Sequence, residues 1–312
     1  MPDPFLIFCS GRYAREVKVS LPSFAKINWH LRVLGKRDDG FHELFTVFQT
    51  VSLHDTISFA DGDELILKCN DESVPVDERN LIVKAAIALR ERFKLETGAV
   101  ISLEKRIPSP GGLGGGSSNA AAALIGLSRL WKIEIEDIEL NEIAAALGSD
   151  VPFFLHGGTA IGTGRGERIE YVPDATEPYL VIVTPNVSVS TRDAFERMNA
   201  STLTIVGLNR ILPVCRSEAD LRDLHLSVLK NDFEESVFLA HPEIRRVKET
   251  LLELGAVNAA MSGSGASVFA IFDKQETRQT AIKALDQEST WRKFAVATIS
   301  RDQYREALSI KA

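Results

Sequence analysis

Residues 108–118 have the sequence Pro-Ser-Pro-Gly-Gly-Leu-Gly-Gly-Gly-Ser-Ser, and four consecutive alanines begin at residue 120. Glycine leaves backbone N–H groups unobstructed, so such a loop can fold closely around phosphate oxygens. The alanines predict a helix over Ser118–Trp131, whose N-terminus adds a positive dipole end and unpaired N–H donors. Its serines can cap that helix or donate hydroxyls to phosphate or a metal. We therefore predict a polyphosphate site formed by Pro108, Ser109, Pro110, Gly111, Gly112, Leu113, Gly114, Gly115, Gly116, Ser117 and Ser118.

The loop matches neither of two common nucleotide-binding motifs. It is not a Walker A motif, because no lysine follows the last glycine. It is not G-x-G-x-x-G either, because Ser117 stands where the third glycine belongs. A flexible surface loop without a ligand is the alternative interpretation. The position between a predicted strand, Ala99–Leu103, and the alanine-rich helix favours the phosphate site.

The sequence around this loop alternates between strand and helix patterns. Turn signals at Asp38–Gly40 and Asp61–Asp63 separate strand-like runs. Asn80 opens one predicted helix, and a second, Asp137–Leu147, ends at Gly148 in the manner of a left-handed C-terminal cap. The predicted strands are Val17–Leu21, Ile27–Val33, Glu64–Cys69 and Ala99–Leu103.

Beyond about Thr176 the pattern changes, and we predict two domains at residues 1–176 and 177–312. Mixed runs of strands and helices favour the α+β class over strict βαβ alternation. The predicted elements of the second part are a strand over Tyr179–Val183, a helix from Pro242 to near Gly255, a small-residue loop at Ser262–Gly265, a strand over Ser267–Phe272 and a last helix over Glu276–Leu285.

The composition is that of a folded acidic protein. The 312 residues are 45% hydrophobic and 25% charged, enough for about two domains with filled cores. The net charge of -7 disfavours a protein that coats nucleic acid and leaves room for a local basic pocket. Three distant cysteines (Cys9, Cys69 and Cys215) predict no disulfide framework and no zinc site, and fit a reducing compartment.

The N-terminal segment carries no clear pattern. Its apolar run, Phe5–Cys9, is too short for a signal peptide or a membrane span. We therefore predict a cytoplasmic protein, and we expect the first ~15 residues to be loosely attached.

Two ionisable residues are candidates for catalysis. Lys26 lies among apolar residues in a predicted strand, where it can reach a transferring phosphoryl group or a nucleophilic hydroxyl. Asp150 follows a helix end, where a fixed carboxylate can accept a hydroxyl proton. The alternatives are a solvated lysine on a strand face and an aspartate that only turns the chain.

Residues beside the first turn are candidates for binding. His42 can bind a substrate hydroxyl or phosphate, and Phe41 can stack on a planar base. The alternatives are a structural or exposed histidine and a core phenylalanine. Farther along, Asn231–Glu234 has the sequence Asn-Asp-Phe-Glu, superficially like the D-F-G of protein kinases. Because the glycine is missing and no H-R-D occurs, we assign this segment no function.

Three segments, in this order, resemble the GHMP superfamily of small-molecule kinases. They are Ala25-Lys-Ile-Asn28, the glycine-rich loop with its Gly-Leu-Gly-Gly-Gly-Ser-Ser sequence, and Met261-Ser-Gly-Ser-Gly265. Leu34-Gly-Lys-Arg-Asp-Asp-Gly-Phe-His42 and Gly148-Ser-Asp-Val-Pro-Phe-Phe154 extend the resemblance over nearly the whole chain. The combination is much more specific than any single motif.

The resemblance implies a kinase that uses ATP and Mg²⁺ and an alcohol acceptor. The implied fold has two domains, ribosomal-protein-S5-domain-2-like at the N-terminus and ferredoxin-like at the C-terminus, with the site in a cleft between them. The implied acceptor is the 2-hydroxyl of diphosphocytidyl methylerythritol, in non-mevalonate isoprenoid biosynthesis. We expect a monomer or homodimer without a nucleic-acid or membrane partner.

The resemblance also implies roles for individual residues. Asp150 matches the family's general base, and Lys26 matches its catalytic partner. Residues 108–118 match the ATP phosphate loop. The matching substrate positions are Asn28, Phe41, His42 and Phe195, with the two phenylalanines sandwiching cytosine. The magnesium ligands stay unassigned, with Ser118 as one candidate.

Two positions depart from the family's pattern. Pro110 stands where a further glycine is usual; it removes an N–H and fixes φ, so we expect a shifted or stiffer first turn. Phe41 stands where tyrosine is common, which preserves stacking and loses a hydroxyl. Three alternatives stay open: a GHMP kinase acting on mevalonate, homoserine or a sugar, a non-catalytic nucleotide-binding protein on the same fold, and a structural protein with a flexible loop.

Overall fold

The computed structural model describes residues 6–7, 15–198, 205–219, 224 and 229–310. The expectation of a loosely attached N-terminal segment falls largely outside these residues. Within them, no helix has both the length and the apolar character that a membrane crossing needs. The fold is α+β, with helices packed on two main sheets.

The elements up to residue 171 form the first part of the fold. The strands are β1 (Leu6–Ile7), β2 (Arg15–Glu16), β3 (Val19–Lys36), β4 (His42–Gly62), β5 (Leu65–Cys69), β6 (Gly98–Glu104), β7 (Thr159–Gly164) and β8 (Arg168–Tyr171). The helices are α1 (Leu81–Phe93), α2 (Gly115–Leu130) and α3 (Asp137–Leu147), followed by a 3-10 turn at Pro152–Leu155.

The remaining elements begin at residue 180. The strands are β9 (Leu180–Pro185), β10 (Lys230–Asn231), β11 (Asn258–Met261), β12 (Val268–Ile271) and β13 (Trp291–Val296). The helices are α4 (Thr191–Arg197), α5 (Ile205–Glu218), α6 (Glu234–Ala240), α7 (Pro242–Glu253), α8 (Gln275–Ala284) and α9 (Arg301–Ala307), with a 3-10 turn at Leu285–Gln287.

A long antiparallel hairpin organises the first sheet. β3 pairs with β4 from Val19 opposite Phe59 to Lys36 opposite His42, and the predicted turn at Asp38–Gly40 closes the hairpin. The strand order is β10-β3-β4-β6-β5, with β7 also paired to β4 and β8 to β7. The two strands predicted on either side of residue 24 are therefore parts of one strand.

The second sheet is antiparallel, in the order β11-β12-β9-β13. Apolar residues of both sheets form a common core, in which Trp29 on β3 meets Phe269 on β12 edge-on, with ring centroids 5.3 Å apart. β10 follows β9 in sequence and nevertheless pairs in parallel with β3 of the first sheet. The two sheets are thus joined by packing and by chain connectivity.

The alanine-rich helix α2 packs closely on the first sheet. Ala120, Ala121, Ala122 and Ala123 are all buried. Small side chains allow this approach, and a Cβ added at Gly126 would lie 2.2 Å from the Phe59 ring. Burial of such a face stabilises a helix more than its intrinsic propensity does.

Three details of the predicted elements are wrong. α2 begins at Gly115, not Ser118, because Gly114 takes a left-handed conformation (φ 68°) and starts the helix three residues earlier. Gly148 does follow α3, but its φ of 172° is extended backbone and not a left-handed cap. The helix predicted over 276–285 is not the last, because α9 follows it.

Helix α9 packs against the apolar core beside the first sheet. Tyr304 is buried there, and its hydroxyl donates to the carbonyl oxygen of Phe154 at 2.6 Å. Leu308 is fully buried in the same apolar cluster. The end of the described chain therefore covers the first sheet's core.

Candidate active site

A cavity of about 400 Å³ lies where the glycine-rich loop faces β3, β4 and the loop between β11 and β12. It is lined by the ten residues 108–117, by Lys26, Asn28 and Asp150, and by residues 263–265. The structure thus brings together four segments that the sequence analysis singled out. Ser118 alone among the predicted loop residues does not line this cavity.

The glycines are required by close backbone packing. Gly112 has φ +72°, and a Cβ there would lie 2.0 Å from the carbonyl oxygen of Ser262. Gly114 has φ +68°, and a Cβ there would lie 2.9 Å from the Phe154 ring. The Ser109–Pro110 peptide is cis. Because α2 starts at Gly115, the unpaired N–H groups of its first turn meet the cavity, which suits an anion.

Lys26 and Asp150 form an ion pair at the wall of the cavity. The Nζ of Lys26 lies 3.5 Å from Oδ2 of Asp150; the lysine side chain is 4% exposed and the aspartate side chain 30%. Burial lowers the pKa of Lys26, and the carboxylate of Asp150 partly offsets this effect. The lysine is thus neither solvated nor on an open strand face, and the aspartate faces the cavity.

Asn28 also binds the ammonium of Lys26. Its Oδ1 accepts a hydrogen bond from Nζ of Lys26 at 2.7 Å and another from the backbone N–H of Gly263 at 2.9 Å. Its Nδ2 donates to the hydroxyl of Thr46 at 2.7 Å. Both ends of this buried amide are satisfied, so its orientation is determined by its partners.

A buried carboxylate beneath the loop was missed from the sequence. Asp55 is fully buried on β4, and its Oδ2 accepts from Nζ of Lys105 at 2.6 Å. Its Oδ1 accepts from the backbone N–H groups of Arg106 and Ile107 at 2.7 and 2.8 Å. Asp55 therefore fixes the chain just before the glycine-rich loop. The sequence did contain a signal for this residue, because aspartate is depleted in strands and an aspartate inside one indicates a specific role.

The hydroxyl of Ser118 belongs to this buried network and not to the cavity. Ser118 is 1% exposed, and its Oγ accepts from the Ser23 hydroxyl at 2.8 Å. Asn119, next to it, donates to both Ser23 and Asp55. This position does not support Ser118 as a metal or phosphate ligand, because the earlier start of α2 turns its side chain towards β3. Ser117 lines the cavity instead.

A second cavity, of about 750 Å³, adjoins the first, and both are lined by Leu44, Ser149, Arg165, Thr191 and Phe195. The predicted Phe41 and His42 line the second cavity. So do three cationic side chains and one carboxylate, those of Lys36, Arg165, Arg192 and Glu196. The polar character of this cavity was only partly visible in the sequence, because Arg165 and Arg192 lie in no recognisable motif.

The aromatic side chains of the second cavity already have partners. His42 stacks on Phe195 with ring centroids 4.7 Å apart, and the guanidinium of Arg165 lies 4.7 Å from the centre of the Phe41 ring. Phe41 is nevertheless 53% exposed. Burial and the nearby charge of Lys36 lower the pKa of His42, which favours the neutral ring. The sandwich of cytosine between Phe41 and Phe195 stays a prediction.

The donor set of the first cavity fits a magnesium ion that a nucleotide's phosphates carry. Mg²⁺ usually takes one or two carboxylates together with substrate oxygens and water. Asp150 supplies one carboxylate, and the Ser117 hydroxyl lies in the same lining. Within the described part of the chain, no group of three or more His, Cys, Asp or Glu residues is placed to hold a metal ion by itself.

Comparison with family models gives two matches. Residues 80–158 match the GHMP kinases N terminal domain, and residues 217–289 match the GHMP kinases C terminal domain. The first match contains the glycine-rich loop and Asp150; the second contains Asn231–Glu234 and the loop between β11 and β12.

Curated relatives match most of the chain. The 4-diphosphocytidyl-2-C-methyl-D-erythritol kinase of Thermoanaerobacter pseudethanolicus is 38% identical over 270 residues, covering 86% of this chain and 92% of the relative. The protein of the same name from Chlorobium phaeobacteroides is 40% identical over 271 residues, with the same coverage.

Solved structures give a consistent result. A crystal structure of 4-(cytidine 5'-diphospho)-2C-methyl-D-erythritol kinase superimposes with a TM-score of 0.72 at 30% identity, over 90% of this chain and 99% of that one. Homoserine kinase from Cytophaga hutchinsonii superimposes with a TM-score of 0.66 at 21% identity, over 94% of this chain and 99% of that one. The second likeness shows the fold alone.

Proposed function

The chain belongs to the 4-diphosphocytidyl-2-C-methyl-D-erythritol kinases of the GHMP kinase family, and we propose that it transfers the γ-phosphoryl group of ATP to the 2-hydroxyl of this acceptor. One observation carries the proposal. The ion pair of Lys26 and Asp150 lies in a glycine-lined cavity that opens into a second cavity with aromatic and cationic walls. In this proposal the phosphate donor occupies the first cavity beside the ion pair, and the charged acceptor with its planar base occupies the second.

The ion pair supplies the proton chemistry of the transfer. As the acceptor oxygen attacks the γ-phosphorus, the Asp150 carboxylate takes the hydroxyl proton, the new O–P bond forms and the bond to the β,γ-bridging oxygen breaks to release ADP. The ammonium of Lys26 stabilises the negative charge that develops beside the carboxylate. Asn28 also accepts a hydrogen bond from this ammonium, so the lysine needs little reorganisation during the transfer.

The glycine-rich loop binds the donor phosphates in this proposal. Residues of the loop and of the first turn of α2 line the cavity, and the N–H groups at a helix start have no partner within the helix. Mg²⁺ bound to the phosphates would neutralise part of their charge when the nucleotide is present. Ser117 is the side chain in place to bind that ion, because the proposal uses the Asp150 carboxylate as the base.

The second cavity suits the diphosphocytidyl part of the acceptor. Lys36, Arg165 and Arg192 offer positive charge for a diphosphate, although Glu196 shares the wall. Phe41, His42 and Phe195 offer aromatic faces for a pyrimidine. Homoserine and mevalonate are small and carry no base, so neither would use these aromatic walls.

A panel of acceptor alcohols tests the proposal directly. The protein, ATP and Mg²⁺ are mixed with the diphosphocytidyl acceptor, homoserine or mevalonate, and ADP release is measured by a coupled assay. We expect turnover only with the diphosphocytidyl compound. Turnover of homoserine or mevalonate with an inert diphosphocytidyl compound would show that the substrate assignment is wrong.

The role of Asp150 is tested by Asp150→Asn, which keeps the shape and removes the proton acceptor. We expect kcat to fall about 10²–10⁴-fold, the usual contribution of general acid–base catalysis. Asp193→Asn is the matched control, since that aspartate is exposed on α4 and lines neither cavity. Unchanged kcat in Asp150→Asn would remove Asp150 as the base.

A further inference from the structure

The segment Asn231–Glu234, to which the sequence analysis gave no function, lies behind the active site. It starts at the end of β10, which pairs in parallel with β3 beside Leu31. Asn231 is 94% buried, since its exposed fraction is 6%. The segment therefore comes from the second half of the chain and lies against the strand that carries Lys26.

The amide of Asn231 holds the loop between β11 and β12. Its Nδ2 donates to the carbonyl oxygens of Met261 at 2.7 Å and of Gly263 at 2.8 Å. Its Oδ1 accepts from the backbone N–H of Phe233 at 3.0 Å. Two carbonyl acceptors require the nitrogen on one side and the N–H donor requires the oxygen on the other, so only this orientation satisfies the amide.

Glu234 holds the same loop as a hydrogen-bond acceptor, whereas Asn231 holds it as a donor. One of its carboxylate oxygens accepts from the backbone N–H of Met261 at 2.8 Å. The other accepts from Nζ of Lys248 at 2.7 Å. Both the N–H and the C=O of Met261 are thus bound by side chains of one short segment.

The held loop reaches the catalytic pair through Gly263. Its backbone N–H donates to the same oxygen of Asn28 that accepts from the ammonium of Lys26. That ammonium lies 3.5 Å from the carboxylate of Asp150. A shift of Gly263 would therefore move or free the amide that orients Lys26.

The same loop and segment also touch the donor and acceptor sides. The hydroxyl of Ser262 donates to the carbonyl oxygen of Gly112 in the glycine-rich loop at 2.9 Å. The ring of Phe233 contacts Phe195 edge-on, with centroids 4.8 Å apart. The segment and the loop it holds thus contact both the glycine-rich loop and an aromatic wall of the second cavity.

We propose that Asn231 is a positioning residue for phosphoryl transfer: by holding Met261–Gly263, it fixes Asn28 and through it the ammonium of Lys26 against Asp150. This inference rests on the proposed function. It predicts a loss in the chemical step and little loss in substrate binding, because the groups that line the two cavities are unchanged.

The test is Asn231→Ser, which cannot reach both carbonyl oxygens. With ATP and the diphosphocytidyl acceptor, we expect kcat to fall on the order of 10–100-fold, the effect of a small misplacement, while each KM changes less than about threefold. Asp232→Asn is the matched control. Its side chain accepts from the backbone N–H of Val33 and from Arg32 and makes no contact with the held loop, so we expect a lower Tm at near-normal kcat.

A double-mutant cycle with Asn28→Ser shows whether Asn231 acts through Asn28. If Asn231 acts through Asn28, the double variant loses about as much kcat as Asn28→Ser alone, and not the product of the two losses. Independent, multiplying losses would overturn the inference, and so would an Asn231→Ser protein with wild-type kcat. Should Asn231→Ser fail to fold, Glu234→Ala removes the other anchor of the loop, the acceptor for the Met261 N–H; unchanged kcat there would also overturn the inference. An inactive wild-type protein would instead contradict the proposed function.

Discussion

At the residue scale, Lys26 is buried beside one carboxylate and one amide oxygen. A lysine so placed keeps its positive charge only through these partners, because desolvation favours the neutral amine. The cationic form is the one that the proposed transfer uses. Activity should therefore depend on pH in a range where an exposed lysine stays fully charged.

Replacing Lys26 by arginine should change the alkaline side of the pH profile. The pKa of Lys26 is lowered, so in the wild type the cation is lost, and kcat/KM falls, at a lower pH than for an ordinary lysine with a pKa of about 10.4. Arginine keeps its charge, so Lys26→Arg should retain its residual kcat/KM across this range. The measurement is kcat/KM against pH for both proteins. An identical alkaline decline in both would assign it to another group.

Replacing Asp55 by asparagine should strongly destabilise the protein. The change leaves the buried ammonium of Lys105 without its charged partner, which costs about 3–5 kcal/mol for a buried pair. Asp286→Asn is the control, since that carboxylate is 66% exposed beside Lys293 and should contribute at most about 1 kcal/mol. Free energies of unfolding from urea titrations measure both effects. Equal losses in the two variants would contradict the structural role of Asp55.

At the scale of elements, the glycine-rich loop and α2 act as one unit. The left-handed Gly114 turns the loop directly into the helix, so the proposed phosphate site includes the N-terminus of the helix. The loop between β11 and β12 closes on Gly112 from the other sheet. The glycines therefore serve the packing of two loops as well as access for phosphate.

Two glycine-to-alanine changes test the packing role of the glycines. Gly112→Ala puts a methyl group 2.0 Å from the Ser262 carbonyl oxygen at a positive φ, so we expect a loss of at least about 1–2 kcal/mol in stability. Gly116→Ala meets only Leu81, at 3.9 Å, inside a helix, where alanine gains about 0.5–1 kcal/mol. Thermal unfolding gives the comparison. A Gly112→Ala protein as stable as wild type would show that the two loops do not pack as described.

At the scale of the whole molecule, elements from the later half of the chain add to the sheet and the core that the earlier half forms. β10 extends the first sheet, and α9 covers its core through Tyr304 and Leu308. The boundary near residue 176 stays a prediction, and these two elements lie beyond it in sequence. We therefore expect both sheets to unfold together.

Removing the Tyr304 side chain tests this cooperativity. Tyr304→Ala empties a fully packed site and deletes the hydrogen bond to Phe154, so we expect a loss of about 3–5 kcal/mol. Calorimetry should still show one transition, shifted to lower temperature. Two separate transitions, with only one shifted, would show that the sheets unfold independently.

The sequence by itself determined the chemistry of the site. Glycine and alanine content predicted a phosphate loop and a close-packed helix because these are local backbone properties, and the order of motifs identified the family. Lys26 and Asp150 were named as candidates from their residue types and predicted positions, and Asn28 from the family resemblance. The first turn of α2 was misplaced, since the helix start depends on the single φ of Gly114.

Only the tertiary structure decided which of these groups meet. The hydrogen bond between Gly263 and Asn28 joins residues 235 positions apart, and no local pattern encodes such a contact. The same holds for Asp55 beneath the loop and for Asn231 behind the lysine. Their roles depend on how two sheet faces pack, because side-chain burial and partners are set by elements distant in sequence.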